Sequence, residues 1–233
     1  MLEVPERALV VTAHPDDAEF GCSGTVAKWA RAGAEVYYVL CTDGGKGTSN
    51  REITSEALAK IRAQEQQEAC NILGVKELVM LGYPDGELED TREFRGHIVR
   101  AIRQFRPDVV ITSNPFHHNT FSHRDHRMAG LVTMDAMFPY ARDHLHYPEL
   151  LKEGLEPHKA GSILFWGSET PNTYIDITET IDLKLKALAA HRSQLPPENF
   201  ANIEKMIRER ARENGAKLGV EYAEAFRRID FRR

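Results

Sequence analysis

Apolar runs alternate with amphipathic stretches through the first half of this chain, and this alternation restricts the fold more than any other feature. Four runs have the length and β-branched content of buried strands; they cover Arg7–Ala13, Ala34–Thr42, Glu77–Leu81 and Asp108–Thr112. The stretches between them have apolar residues at helical spacing; they cover Thr25–Gly33, Ala57–Gly74 and Asp90–Phe105. Strands separated by helices form a mostly parallel sheet with helices on both faces. We therefore expect an α/β fold, a Rossmann-like three-layer sandwich.

The second half of the chain continues this pattern less regularly. Asp90 and Glu93 have the spacing of a capping box, which predicts a helix start at Asp90. A helix is predicted from about His126 to Phe138, and Tyr140–Gly161 reads as a loop. Two late strands and two closing helices are predicted at Ser162–Trp166, Thr173–Ile177, Glu179–His191 and Glu198–Asn214. The length of 233 residues and the absence of repeats favour a single domain over residues 1–233.

Composition argues against several classes of partner. The net charge is -5, so no basic surplus indicates binding to nucleic acid or to an anionic membrane surface. The three cysteines (Cys22, Cys41, Cys70) are irregularly spaced, which favours packing roles in a reducing cytoplasm over a disulfide framework. No apolar stretch reaches the length of a membrane span, and the N-terminus lacks the pattern of a signal peptide. We therefore expect a cytoplasmic protein.

Polar loops follow each of the first four predicted strands. They read HPDD, TDGGKGTSN, GYPDGEL and SNPFHHNTFSHRDHR, and are rich in Asp, His, Gly or Asn. Because ligands of open α/β sheets bind beyond the carboxyl ends of the strands, these loops should converge on one site. The small-residue turn GCSG lacks the spacing of a dinucleotide or P-loop motif, so it predicts no nucleotide site.

Two histidine-carboxylate blocks carry the pattern of a metal site. Adjacent Asp16 and Asp17 would repel each other, and Asp17 lies three residues after His14 at a strand-helix turn. His123 and His126 are also three apart, at the start of another predicted helix. Two imidazoles, one carboxylate and an open position suit catalytic zinc, and equally suit a facial triad for Fe²⁺ or another divalent ion. As alternatives, Asp16 would cap a helix, and His126 would be an N-cap or a solvated loop residue.

Several motifs together resemble the PIG-L/LmbE-like zinc deacetylases. They are AHPDD with GxxGT near the N-terminus, TDGGKG, RxxExxxAxxxLGV (Arg62–Val75), HRDH, KLKALAAHRSQ (Lys184–Gln194) and GVEYAEAFR (Gly219–Arg227). The family removes the acetyl group from N-acetylglucosamine derivatives and includes bacillithiol-type, mycothiol-type and chitobiose-type enzymes. The resemblance therefore implies a zinc-dependent amide hydrolase with a small amino-sugar substrate, and a homo-oligomer, trimeric or hexameric.

The resemblance also implies roles at the metal. His14, Asp17 and His126 would be the zinc ligands, and Asp16 would be the general base for the attacking water. The chemistry is consistent with this division, because zinc lowers the pKa of bound water to about 7 and a nearby ionised carboxylate can accept its proton.

Further roles concern the substrate. His123 would stabilise the oxyanion and assist departure of the amine, and Asp125 would orient His123. Arg62 matches an arginine associated with substrate binding, and we expect Asp43 and Asn114 to bind sugar hydroxyls.

Some residues depart from the family pattern or have no assigned role. Many members have Glu directly after HPDD, whereas this chain has Ala18. Arg124 replaces the commoner proline, and either favours an anionic substrate or faces solvent. His117 and His118 are expected to shape the entrance of the site. His191 is expected to be a packed or capped histidine.

Two other function classes stay open. One is an amidase that acts on a non-acetyl thiol-sugar conjugate. The other is a non-enzymatic module that binds a sugar or a metal on the same fold, and such a module would need neither a base nor an oxyanion donor.

Overall fold

The computed structural model describes residues 3–231, so residues 1–2 and 232–233 of the expected domain lie outside the described part. Seven strands form the sheet in this described part: β1 (Arg7–Thr12), β2 (Glu35–Thr42), β3 (Glu77–Tyr83), β4 (Val109–Ser113), β5 (Ser162–Trp166), β6 (Thr173–Asp176) and β7 (Ala223–Asp230). Their order is β3-β2-β1-β4-β5-β7-β6. The first five strands pair in parallel, and β7 is antiparallel to both of its neighbours. The predicted mostly parallel α/β sandwich is confirmed.

Within the described residues, seven α-helices connect or cover these strands: α1 (Asp17–Gly21), α2 (Ser23–Arg31), α3 (Ser55–Leu73), α4 (Arg92–Phe105), α5 (Arg124–Asp135), α6 (Ile181–Leu188) and α7 (Pro197–Ala216). A π-helical turn (Ala136–Tyr140) extends α5, and a 3-10 helix (Pro148–Glu153) lies in the segment predicted as loop. Across residues 3–231, none of the helices combines the length and apolarity that a bilayer crossing requires.

The start of α4 differs from the sequence prediction. The N-cap is Thr91, whose side chain accepts a hydrogen bond from the backbone N–H of Phe94 at 3.1 Å. Threonine at the N-cap satisfies one of the free amide groups of the first turn, and the acid at position 90 lies outside the helix. The predicted capping box beginning at Asp90 is therefore wrong by one residue.

Both faces of the central strands are buried. On β1, Leu9 and Val11 pack in the cluster that includes α4, whereas Ala8 and Val10 pack in the cluster that includes α2. This two-sided burial explains why β1 reads as a continuous apolar run rather than as an alternating one. The sheet is thus the middle of three layers.

The strand order places a topological switch between β1 and β4. From β1 the chain builds the sheet outward through β2 and β3, and from β4 it builds the other side through β5. Loops that leave neighbouring parallel strands toward opposite sides open a crevice between them, at their carboxyl ends. That crevice receives the HPDD loop from β1 and the histidine-rich loop from β4.

Strand β7 and helix α1 are absent from the sequence prediction. The strand contains Glu224, which is only 5% exposed, among charged neighbours that hide the apolar alternation. Glu224 is tolerated there because Lys184 donates to it at 2.7 Å. Helix α1 has only five residues and is too short to give a periodic signal.

Candidate metal centre and catalytic site

The turn after β1 brings His14 and Asp17 to the same side of the chain. The backbone N–H of His14 donates to Asp17 Oδ2 at 2.8 Å, which closes the turn. Asp16 lies at the tip in the left-handed region, with φ 85° and ψ -24°. Asp17 begins α1, so its side chain points back over His14.

Three potential ligand side chains converge at this turn. His14 Nδ1 lies 3.2 Å from His126 Nε2 and 3.4 Å from Asp17 Oδ2, and His126 Nε2 lies 3.0 Å from Asp17 Oδ1. Tetrahedral zinc, with bonds of about 2.0–2.2 Å, separates its ligand atoms by about 3.3–3.6 Å. The His126 side chain is 31% exposed, so the cluster is reachable from solvent. The donor set therefore fits a divalent cation, and the separations lie inside the tetrahedral range or within about 0.3 Å of it.

The other nitrogen of His14 faces two carboxylates. His14 Nε2 lies 3.1 Å from Asp125 Oδ2 and 3.1 Å from Asp85 Oδ1. A histidine that binds a metal commonly donates its second ring N–H to a carboxylate, which fixes the tautomer and the ring orientation. Nδ1 of His14 is thereby left to face Asp17 and His126.

Asp125 therefore has a different partner from the one expected. Its fully buried carboxylate contacts His14 and accepts hydrogen bonds from the backbone N–H groups of Gly86 (2.7 Å) and Leu88 (3.2 Å). It reaches His123 only through its own backbone N–H. The expected orientation of His123 by the Asp125 side chain is not what the structure contains, because that side chain points toward the loop after β3.

The charges of the cluster call for a cation. Burial lowers the pKa of His14, but the carboxylates of Asp17 and Asp85 raise it by more, to about 10. Burial raises the pKa of Asp17, yet hydrogen bonds from His126 and His14 bring it well below its usual range. Without a metal, protonated imidazole balances these carboxylates. A bound cation would replace the imidazole proton as the positive charge beside these carboxylates, because a histidine nitrogen must be deprotonated to bind a metal.

Asp16 differs from its neighbour in the net direction of its pKa shift. Burial raises its pKa to about 7, and the charge of Asp17 acts in the same direction, whereas Arg62 and His191 oppose the shift. Arg62 Nη2 lies 3.5 Å from Asp16 Oδ2. A carboxylate with a pKa near neutrality suits proton transfer at physiological pH. The doubled aspartate thus comprises one strongly acidic group among the histidines and one weakly acidic group beside an arginine.

His123 is the N-cap of α5. Its Nδ1 accepts from the backbone N–H of Asp125 at 3.2 Å, so this hydrogen bond assigns the proton of the neutral ring to Nε2. Burial lowers the pKa of His123, and the charge of His14 lowers it further. The ring meets His14 edge-on, with centroids 4.6 Å apart. His123 is therefore a neutral hydrogen-bond donor beside the cluster.

The three residues expected to bind substrate mainly stabilise loops in the structure. Arg62 is 4% exposed and donates to the carbonyls of Gly44 and Pro15, both at 2.9 Å, instead of presenting a free guanidinium to a ligand. Asp43 Oδ1 accepts from the backbone N–H groups of Gly45 and Asp85 at 2.8 and 3.2 Å. Asn114 is 2% exposed. It lines a cleft of about 240 Å³ between the loops that follow β4 and β5.

Arg124 and the three other histidines singled out in the sequence have identifiable partners. His117 Nε2 lies 2.8 Å from the Asn114 carbonyl, and the backbone N–H of His118 donates to Glu169. Arg124 lies 3.5 Å from Glu89 at the surface. His191 is fully buried against Glu19, so the packed interpretation describes it best.

Two site residues had no assigned role in the sequence analysis. Asp85 lies in the polar loop after β3, and that location at the carboxyl end of a strand was the available signal. Gln66 lies within α3, and its Oε1 accepts from the backbone N–H of Asp16 at 3.3 Å. A glutamine inside an amphipathic helix carries no local signal of such a contact.

Comparisons with known proteins agree with this geometry. The PIG-L pattern, described as GlcNAc-PI de-N-acetylase, matches residues 9–137. The diacetylchitobiose deacetylase of Thermococcus kodakarensis is 35% identical over 222 residues, covering 95% of this chain and 82% of that protein. The mycothiol S-conjugate amidase of Streptomyces coelicolor is 30% identical over 247 residues, covering 82% of this chain and 83% of the amidase.

One solved structure is similar to this chain in its three-dimensional fold as well as in sequence. The N,N'-diacetylchitobiose deacetylase from Pyrococcus horikoshii, complexed with its inhibitor MPG, has a TM-score of 0.91 and 35% identity to this chain. The superposition covers 97% of this chain and 84% of the other. The similarity therefore extends over almost the whole chain.

Proposed function

Because this chain belongs to the PIG-L family, we propose that it is a metal-dependent amide hydrolase that removes the acetyl group from an N-acetylglucosamine derivative. The observation that carries the proposal is the convergence of His14 Nδ1, Asp17 and His126 Nε2 at the switch point, with Asp16 next to Asp17 in the chain and the His123 ring against His14. A module that only bound a sugar or a metal would need neither of those flanking groups.

We propose that His14, Asp17 and His126 hold Zn²⁺. Two imidazole nitrogens and one carboxylate are ligands that zinc accepts in catalytic sites, although Fe²⁺ or another divalent ion suits the same set. When bound, the ion supplies a Lewis acid for the amide carbonyl and makes water more acidic. Elemental analysis of the purified protein identifies the ion.

The chain's own residues then divide the proton chemistry. Asp16 takes the proton of the attacking water and returns it to the amine nitrogen as the C–N bond breaks. His123 donates a hydrogen bond from Nε2 to the carbonyl oxygen as negative charge develops there. Because its hydrogen bond with Asp125 assigns the neutral tautomer, His123 acts as a donor and not as the proton source. Arg62, 3.5 Å away, favours the ionised form of Asp16.

The substrate proposal is tested by acetate release. We expect free acetate and primary amine in equal amounts from N-acetylglucosamine, N,N'-diacetylchitobiose or another N-acetylglucosaminide, supplied with zinc. The matched control is Asp16→Asn, which keeps the shape of the side chain and lacks a base. Cleavage of acetylated peptides without cleavage of any N-acetylated sugar would contradict the proposal.

A second candidate activity is supported by the Streptomyces relative, named an amidase of a mycothiol S-conjugate. An enzyme of that kind would cleave an amide whose acyl group is larger than acetyl. Release of amine without acetate from a thiol-sugar conjugate, together with no acetate from simple N-acetylated sugars, would favour this candidate.

We also propose that residues 1–233 form one domain that acts in the cytoplasm as a trimer or hexamer. Large apolar side chains at the surface support self-association, since Phe121, Phe138 and Leu145 are 107%, 47% and 78% exposed. Light scattering of the purified protein measures the oligomeric state, and a monomer at all concentrations contradicts it.

A further inference from the structure

A fully buried carboxylate lies behind the site and has no part in the proposed mechanism. Glu19 is 0% exposed, and each of its two oxygens has a partner. Oε2 lies 3.2 Å from Nε2 of the buried His191, and Oε1 accepts from Gln66 Nε2 at 3.1 Å. A buried charge is costly unless it is paired and hydrogen-bonded, so this arrangement needs a reason.

The Glu19 carboxylate determines which way the Gln66 amide points. Its Oε1 accepts a hydrogen bond from the NH₂ group of Gln66, so that end of the amide faces Glu19. The carbonyl oxygen of the same amide must then face the opposite side. There it accepts from the backbone N–H of Asp16 at 3.3 Å. The amide orientation, which geometry alone often leaves ambiguous, is fixed by its partner.

Both polar groups of one peptide unit are bound by the same helix. The carbonyl of Pro15 accepts from Arg62 Nη2 at 2.9 Å, and the N–H of Asp16 donates to Gln66. Arg62 and Gln66 are four residues apart on α3, so they project from the same face. The Pro15–Asp16 peptide is therefore clamped from one rigid surface.

The clamped peptide leads into an unusual backbone conformation. Asp16 has φ 85°, in the left-handed region that residues other than glycine rarely adopt. Such a conformation persists only where the surroundings impose it, and it often serves a function. Here it belongs to the residue whose side chain is assigned as the base, and that carboxylate lies 3.5 Å from Arg62.

We propose that Glu19, Gln66 and His191 form a positioning network for Asp16. His191 balances the charge of Glu19, Glu19 orients the Gln66 amide, and Gln66 holds the peptide that aims the Asp16 carboxylate. This inference rests on the proposed role of Asp16 as the base. None of the three residues contacts the reacting atoms.

The kinetic test compares Gln66→Leu with the wild-type enzyme. We expect kcat to fall roughly 10–100-fold, the range for loss of a supporting partner, while KM and metal content stay within twofold. Glu19→Gln should lower kcat by less, because it keeps the shape and frees the Gln66 amide to flip. A rise in KM at unchanged kcat would overturn the proposal.

Ser193→Ala is the matched control for loss of a partly buried side-chain hydrogen bond. Ser193 donates to Glu65 at 2.6 Å, close to the network and without a contact to the Pro15–Asp16 peptide. It should lower Tm and leave kcat unchanged. If Ser193→Ala and Gln66→Leu reduce kcat equally, the effect of Gln66 is structural and the proposal is wrong.

A readout independent of activity separates this inference from the proposed function. The Asp16 amide should be protected from hydrogen exchange in the wild type and exchange at least tenfold faster in Gln66→Leu. Wild-type protein that releases no acetate from any substrate would refute the proposed function alone. Equal exchange of the Asp16 amide in both proteins would refute the clamp, whatever the activity.

Discussion

At the scale of single residues, Asp16 and Asp17 are adjacent and have opposite properties. We expect Asp17→Asn to lose most of the bound metal, because a neutral amide is a poorer ligand than a carboxylate. We expect Asp16→Asn to keep the metal and lose turnover by about 10²–10⁴-fold, the usual effect of removing a general base. Metal content and acetate release of both variants, measured side by side, check this. An Asp16→Asn enzyme with near-normal turnover contradicts the assignment.

His123 gives a second residue-scale prediction. His123→Ala should reduce kcat by about 10²–10³-fold, the effect of losing one oxyanion donor, with metal retained. His123→Gln should recover part of that loss, because its amide can donate from a similar position. If the glutamine variant is as slow as the alanine variant, His123 acts through proton transfer and not as a neutral donor.

The sequence reveals the site residues unevenly. His14, Asp17 and His126 could be predicted, because spacing and placement after two strands are local properties of the chain. Asp85 and the true partner of Asp125 could not, since they depend on how the loop after β3 folds over the loop after β1. The backbone contacts of Arg62 could not be predicted for the same reason, because its partners Gly44 and Pro15 belong to other loops.

At the scale of elements, α6 is attached to β7 and α2 through a buried ion pair. Lys184 and Glu224 are 3% and 5% exposed, and Glu224 also accepts from the backbone N–H groups of Gly24 and Thr25 at 3.0 and 2.8 Å. We expect Lys184→Met to destabilise the fold by about 3–5 kcal/mol, since it leaves a buried carboxylate without its cation. Denaturant unfolding measures the change.

The exposed pair Lys205 and Glu209 provides the control. Its nitrogen and oxygen are 3.9 Å apart, and the Lys205 side chain is 75% exposed. Lys205→Met should change the free energy of unfolding by less than about 1 kcal/mol. Equal losses in the two variants would contradict the importance of the buried pair.

The contact of His191 with α1 predicts a pH dependence of stability. Burial lowers the pKa of His191, but the hydrogen bond and charge of Glu19 raise it by more, so the folded-state pKa lies above the ordinary value. The pair therefore stabilises the fold fully at a pH below the ordinary pKa of about 6.5, and this contribution is lost as pH rises through the raised pKa. The Tm of the wild type minus the Tm of His191→Gln should therefore be larger at pH 6 than at pH 9. A difference that does not change with pH contradicts the charged pair.

Elements with a clear pattern of apolar residues could be predicted from the sequence, whereas elements without such a pattern could not. The strand at Ser162–Trp166 has the predicted bounds, because its apolar run is uninterrupted. β7 was missed because Glu224 and its charged neighbours interrupt the pattern, and their burial depends on Lys184, about forty residues away in the chain. Local sequence patterns cannot predict pairing between residues that are far apart in the chain.

At the scale of the whole molecule, the strand order accounts for the location of the site. Alternation of strands and helices predicts a parallel sheet, and the switch between β1 and β4 then assigns the crevice to two loops far apart in sequence. The insertion of β7 between β5 and β6 leaves this crevice intact, because it affects only the far edge of the sheet. The predicted location of the site at the carboxyl ends of the strands is therefore unaffected by the missed strand β7.

The proposed deacetylation requires both Asp16 and a cation bound by the histidines and Asp17 at this switch point. The most direct measurement is acetate release from N,N'-diacetylchitobiose by the wild-type protein as purified, after chelation, and after zinc is restored. We predict that release stops when the metal is removed, and that it returns in proportion to zinc up to one ion per chain. Release that continues unchanged in metal-free protein, or metal-loaded protein that releases no acetate from any N-acetylglucosaminide, would contradict metal-dependent deacetylation.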